Sequence, residues 1–193
     1  EMLRSLVGSE MCIRDSTRLA AFLETNHINV YSPRSDMFFG REEIRIALGT
    51  MMLLFPKYVM GLENDEYQFL QPEHSRYYRD CILAANEFLT RPENAEFMKW
   101  VRHHGKIHMA LKGTTDYTYS GLLYQMFEYE PFRSILGTDI TAGVVDVRPA
   151  RNLALLSQVI GKYEYLHRID VFNGKTINSN TEKFFNLYLR LLY

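Results

Sequence analysis

The chain has 193 residues, 47% hydrophobic and 23% charged, with 22 Lys and Arg against 23 Asp and Glu, a balance that excludes polybasic, histone-like behaviour and leaves only local patches for nucleic acid. No apolar run reaches the 18 residues of a membrane span: none is longer than that of Met51 to Phe55, which stops at Pro56. Two cysteines, Cys12 and Cys81, supply neither a disulfide framework nor a Cys-built zinc site, as expected in a reducing, cytoplasmic setting.

Residues 1–16 carry neither a signal-peptide pattern nor an amphipathic one. The run Leu6 to Asp15 looks like the translation of a transposase-type sequencing adapter, so 1–16 is read as a cloning or assembly scar. Removing it takes away Arg4, Arg14, Glu1, Glu10 and Asp15, which leaves 20 charges of each sign and Cys81 as the one cysteine. A short helix over 17–25 follows, then a strand at Ile28 to Tyr31 closed by Ser32-Pro33-Arg34-Ser35. From Gly40 to Phe55 the apolar residues Ile44, Ala47, Leu48, Met51, Met52 and Phe55 recur at helical spacing, which predicts an amphipathic helix ended by Pro56.

A polar connection is expected from Leu62 to Glu73, and beyond it the chain reads as helical almost throughout. One stripe is Tyr78, Cys81, Ile82, Ala85 and Leu89; Pro92 opens a helix carrying Phe97, Trp100 and Val101, with Gly105 as a weak point. Leu122, Leu123, Met126 and Phe127 precede Pro131, and a long helix after Pro149 carries Leu153, Leu156, Ile160 and Tyr163. Ser179 to Glu182 matches a capping box opening a last helix with Phe184, Leu187, Tyr188 and Leu191 on its face. The expected fold is mainly α, a short α/β piece (17–56) followed by an all-helical domain (57–193).

No catalytic constellation emerges. Gly174-Lys175-Thr176 ends like a phosphate-binding loop, but the glycine required five positions earlier is Ile169, so it reads as a turn. His104 and His108 stand four apart, yet no acid lies between them and Arg102, Lys106 and Lys112 surround them, so a solvated basic face is expected and no metal. Cys81 reads as a core residue, and Glu42 and Glu43 as complements to a helix dipole.

The order helix, strand, polar loop and then Met37-Phe38-Phe39-Gly40-Arg41-Glu42-Glu43-Ile44-Arg45 resembles the superfamily 1 helicases of the UvrD/Rep/PcrA type around their motif IV. Phe38, Phe39, Arg41, Glu43, Ile44 and Arg45 match that pattern in register, with Ile28 and Tyr31 matching the preceding strand. A weaker likeness covers Val147 to Leu153, Tyr163 to Leu166 and Phe184 to Arg190. The pattern departs at Ser32 to Ser35, where better-known members have a Gly-Gly turn, and at Ile46, where they have Asp.

The resemblance implies an internal fragment of an ATP-dependent 3′ to 5′ DNA helicase: residues 17–56 would be a remnant of the RecA-like domain 2A, and 57–193 the helical 2B insertion. ATP and Mg would then be handled by helicase domains of the same parent chain that this sequence lacks, and its Walker lysine and acids are not here. The partners implied are single-stranded DNA and the duplex junction, with Arg34, Arg41, Arg102, Lys106 and Lys112 as candidate contacts. The rival reading is a non-enzymatic helical protein-interaction module.

Overall fold

The computed structural model describes residues 36–67, 70–137 and 146–191. A five-residue helix, α1 (Asp36–Gly40), ends where Arg41 takes an extended backbone, and α2 runs Glu42–Leu53 with both glutamates in its first turn. There the carboxylates complement the positive end of the helix dipole. The predicted helix from Gly40 to Phe55 is thus shorter, because Pro56 does not merely end it. Pro56 is the first residue of a further helix, α3 (Pro56–Glu63), where a missing N–H is harmless. The axis bends by 102° between α2 and α3, and α3 takes in Leu62 and Glu63, so the expected polar connection starts later, at Asn64.

Nor is α2 amphipathic. Ile44, Ile46, Ala47, Leu48, Gly49, Thr50, Met51 and Met52 are all buried, so both sides of the helix are covered. The covering elements are α4 (Pro72–Leu89), α5 (Ala95–Ala110) and α8 (Arg148–His167), each packed on α2. Periodicity found one apolar face; the other is made of Ile46, Gly49 and Thr50, two of them too small or too polar to register. Thr50 Oγ1 is buried with no hydrogen-bond partner, and an unsatisfied buried hydroxyl costs on the order of 1 kcal/mol or more. Thr50→Val is therefore expected to raise stability by about 1 kcal/mol, seen as a thermal midpoint about 2–4 °C higher.

The stripe of α4 (Tyr78, Cys81, Ile82, Ala85, Leu89) is buried as its spacing predicts. A 3₁₀ turn at Pro92–Asn94 leads into α5, which continues through Gly105 without a break. Then follow α6 (Tyr119–Met126), α7 (Phe132–Leu136), α8 with Pro149 in its first turn, and α9 (Ile177–Glu182). The capping box is not formed. The Asn173 carbonyl accepts from both Thr176 N (2.9 Å) and Ile177 N (2.8 Å), which starts the helix early and leaves Ser179 inside it, donating to Thr176 O at 3.0 Å.

A π turn, Lys183–Tyr188, follows α9 and is succeeded by a 3₁₀ turn, Leu189–Leu191. The wider turn changes which residues face inward: Phe184, Phe185, Asn186 and Leu189 are buried, while Leu187, expected on the apolar face, is 49% exposed. Two tyrosines hold this segment, Tyr78 donating its hydroxyl to Phe185 O (2.6 Å) and Tyr58 to Asn186 Oδ1 (2.7 Å). Burial is the main reason that the Tyr58 phenol is pushed well above its ordinary range.

None of α2 to α9 is closed by a hydrogen bond from its own N-cap side chain. At two helix ends closure comes across the fold. Glu164 on α8 accepts from Ser120 N (2.8 Å) and Ser120 Oγ (2.6 Å) in the first turn of α6, satisfying a donor that the helix start leaves free. At the other end of α2, His108 on α5 reaches the Leu54 carbonyl at 2.7 Å.

The buried apolar residues form one cluster from Phe38 to Leu189, so the described parts of 36–56 and 57–191 share a core. Tyr119 lies deep in it, its ring 4.7 Å from Phe172, 5.3 Å from Phe184 and 5.5 Å from Phe55. The chain is mainly helical as expected, and among the described residues its β structure is one isolated bridge, Thr114 to Asn173. The helix read at 17–25 and the strand read at 28–31 lie outside the described residues. Among those described, no single helix is long and apolar enough to cross a membrane.

Candidate nucleic-acid interface

Phe38, Phe39 and Ile44 are 5%, 3% and 0% exposed, so the apolar half of the motif-like stretch is an anchor. Phe39 meets Phe38 edge-on at 5.0 Å and Tyr77 at 5.9 Å, and the Tyr77 hydroxyl donates to Phe39 O at 2.9 Å. Arg45 donates to Asp80 O at 3.4 Å. The polar half faces the start of α8. Glu43 Oε1 accepts from Asn152 Nδ2 at 2.7 Å. Beside it, Arg148 makes a two-pronged pair with Asp146 (Nε to Oδ1 2.8 Å, Nη2 to Oδ2 2.7 Å), and Asp146 Oδ1 also accepts from Arg148 N at 3.0 Å. Hydrogen bonding to Arg148 lowers the Asp146 carboxyl below its usual range, with a smaller contribution from Arg41. Arg41 thus faces an acid across this junction. Arg34 lies outside the described residues.

Arg102 and Lys106 are exposed one turn apart on one face of α5. They flank a groove of about 450 Å³ whose apolar lining includes Leu53, Pro56, Met98, Val101 and Met109. This groove is at the C-terminal end of α2, whereas Arg41 is at its N-terminal end. Twelve residues at a rise of about 1.5 Å separate the two by roughly 18 Å, so the basic candidates do not form one patch.

Lys112 belongs to a different place again. The chain after α5 pairs with the turn before α9, Gly174 N donating to Gly113 O at 2.9 Å. The approach is so close that a Cβ at Gly174 would lie 2.8 Å from Leu111 C and 2.9 Å from Lys112 Cα. Lys112 and Lys175 are consequently carried on adjoining strands of backbone, both exposed and both without an ion-pair partner among the described residues. Lys175 was not among the residues expected to contact DNA. Its signal was a glycine next to a lysine in each segment, but the pairing spans some sixty residues and leaves no local trace.

The histidines correct an expectation. His103 is exposed, but His104 and His108 are 9% and 3% exposed and are not part of a solvated basic face. Carbonyls only accept, so the bonds from Nδ1 of His104 to Trp100 O (3.1 Å) and of His108 to Leu54 O (2.7 Å) fix the proton on Nδ1. Nε2 of His108 then accepts from the Tyr117 hydroxyl at 3.2 Å. Burial lowers the His108 imidazole from 6.5 to about 4, although the Leu54 carbonyl favours its charged form; desolvation outweighs that bond. Cys81 is fully buried, which pushes its thiol up to about 12, far from the reactive range.

Among the described residues no three His, Cys, Asp or Glu side chains gather to hold a metal ion. The Gly174-Lys175-Thr176 turn does not fit a nucleotide phosphate. Its three backbone N–H groups already donate to Gly113 O, Asn173 Oδ1 and Asn173 O, each at 2.9 Å, and a phosphate cradle needs such donors free. Comparison of the chain with protein-family models, curated proteins and solved structures gave no match.

Proposed function

We propose that the chain is part of an ATP-dependent 3′ to 5′ DNA helicase of the superfamily 1, UvrD-like type, acting in the cytoplasm. Residues 17–56 correspond in this reading to the end of the motor domain 2A, and the helical residues 57–193 to the 2B insertion that touches or restrains the duplex. ATP and Mg belong to other domains of the parent chain, and no step of their chemistry is assigned to these residues.

The observation that supports the reading is the 2.7 Å hydrogen bond between Glu43 and Asn152. It joins the two segments, Phe38 to Arg45 and Val147 to Leu153, that carry the resemblance independently in sequence. The two stretches, more than a hundred residues apart in sequence, are thereby in direct contact.

Lys112 and Lys175 are the DNA contacts we favour, being exposed, adjoining and without an ion-pair partner among the described residues. Each cation that neutralises a phosphate releases counterions, so the logarithm of affinity falls against the logarithm of salt by about 0.9 per contact. In fluorescence anisotropy with a labelled forked duplex, the whole chain is expected to bind in a salt-dependent way. Lys112→Glu/Lys175→Glu is expected to make that slope shallower by about 2. A chain with no affinity for the fork at low salt would instead be the helical protein-interaction module.

A further inference from the structure

The groove beside α5 has a composition that phosphate binding does not explain. Its lining includes Leu53 and Pro56 from the bend between α2 and α3, and Met98, Val101 and Met109 from α5. Met109 is 41% exposed. Methionine is unbranched and polarisable, and it recurs at surfaces that accommodate apolar side chains of varied shape. A site built for DNA phosphates alone has no use for such a lining.

Single-stranded nucleic acid with its bases in the groove is a poor fit as well. Stacking platforms are aromatic, and no aromatic side chain lines this groove. A protein helix fits better, because its anchors at i, i+3 or i+4, and i+7 fill apolar grooves of this kind.

The rim selects the charge of that helix. Arg102 and Lys106 stand one turn apart at the groove edge, no acidic residue lines it, and neither cation has an ion-pair partner among the described residues. Two unpaired cations beside an apolar floor complement carboxylates on the flank of an apolar helix face.

We infer that this groove docks an acidic amphipathic helix of a protein partner, the apolar anchors on the Leu53, Pro56 and Met109 floor and the carboxylates against Arg102 and Lys106. The inference goes beyond the helicase reading and uses different cations, Arg102 and Lys106, from the proposed DNA contact at Lys112 and Lys175, so either can fail without the other.

The test starts from a phage-displayed library of 16-residue helical peptides with no charge bias, selected on the whole chain. Selected peptides are expected to be rich in Asp and Glu beside apolar residues at i, i+3 or i+4, and i+7. Their affinity is expected to fall at least tenfold on Arg102→Glu/Lys106→Glu. It should return when the peptide acids are changed to Lys, a rescue that an unfolded variant could not give. Lys112→Glu/Lys175→Glu should leave peptide binding unchanged. The inference is overturned if no peptide is selected, if those selected lack acids, or if they bind the Arg102/Lys106 variant equally well. Displacement of the peptide by unlabelled (dT)₂₀ at matching concentration would assign the groove to nucleic acid and overturn it too.

Discussion

Gly49→Ala is expected to destabilise the protein by about 3 kcal/mol or more, because the added methyl would meet backbone rather than a movable side chain. Built at Gly49, a Cβ falls inside contact distance of the Cys81 carbonyl oxygen, 2.6 Å from Cys81 C and 2.8 Å from Ala85 Cβ. Helix propensity works in the opposite direction by about 1 kcal/mol, but the clash separates α2 from α4 along the centre of the core. With a urea slope of about 2 kcal/mol per molar, the unfolding midpoint should fall by about 1.5 M. Gly161→Ala is the matched control. It is also in the middle of a helix, but nothing lies within 4 Å of an added Cβ, so the same substitution should stabilise by about 1 kcal/mol. Equal effects at the two positions would refute the close approach of α4.

Acidification is expected to weaken the fold through His108. In the unfolded chain the imidazole titrates near 6.5, and in the folded chain near 4. Between these values the unfolded state holds a proton that the folded state refuses, so stability rises with pH there. Its contribution is fully present above pH 6.5, declines as pH falls, and is gone below about 4. At 1.36 kcal/mol per pH unit the loss approaches about 3 kcal/mol. His104, lowered by burial and by His103, acts in the same direction. Urea midpoints measured from pH 8 to pH 4 should show this slope in the parent chain and a shallower one in His108→Asn, whose amide nitrogen takes the position of Nδ1 and can still donate to Leu54 O. Identical slopes would remove His108 from the account.

Helix positions on a regular 3.6 period were legible in the sequence: the α4 stripe and the inward residues of α8 are buried where their spacing puts them. What was not legible depends on distant partners. Pro56 stops one helix and starts another, and only the packing of α5 against the bend distinguishes these outcomes. Phe185 replaces Leu187 inside because a π turn shifts the register, and the tyrosines that hold that turn come from α3 and α4. His104 and His108 read as solvated because Arg102 and Lys106 sit beside them in sequence, yet on a helix those neighbours point elsewhere. Of the candidate site, the exposure of Arg102, Lys106 and Lys112 was foreseen. Their separation into a groove rim and a lysine pair followed from the chain crossing at Gly174.

The closure of helix ends by side chains from other helices has a consequence for how the molecule loses its structure. Short helices are marginal in water when isolated, and here α6 relies on Glu164 and the end of α2 on His108. An excised helix would therefore lose its end groups along with its packing. The described helices stand or fall together, so a cut in one of them should propagate through the others as a single cooperative transition.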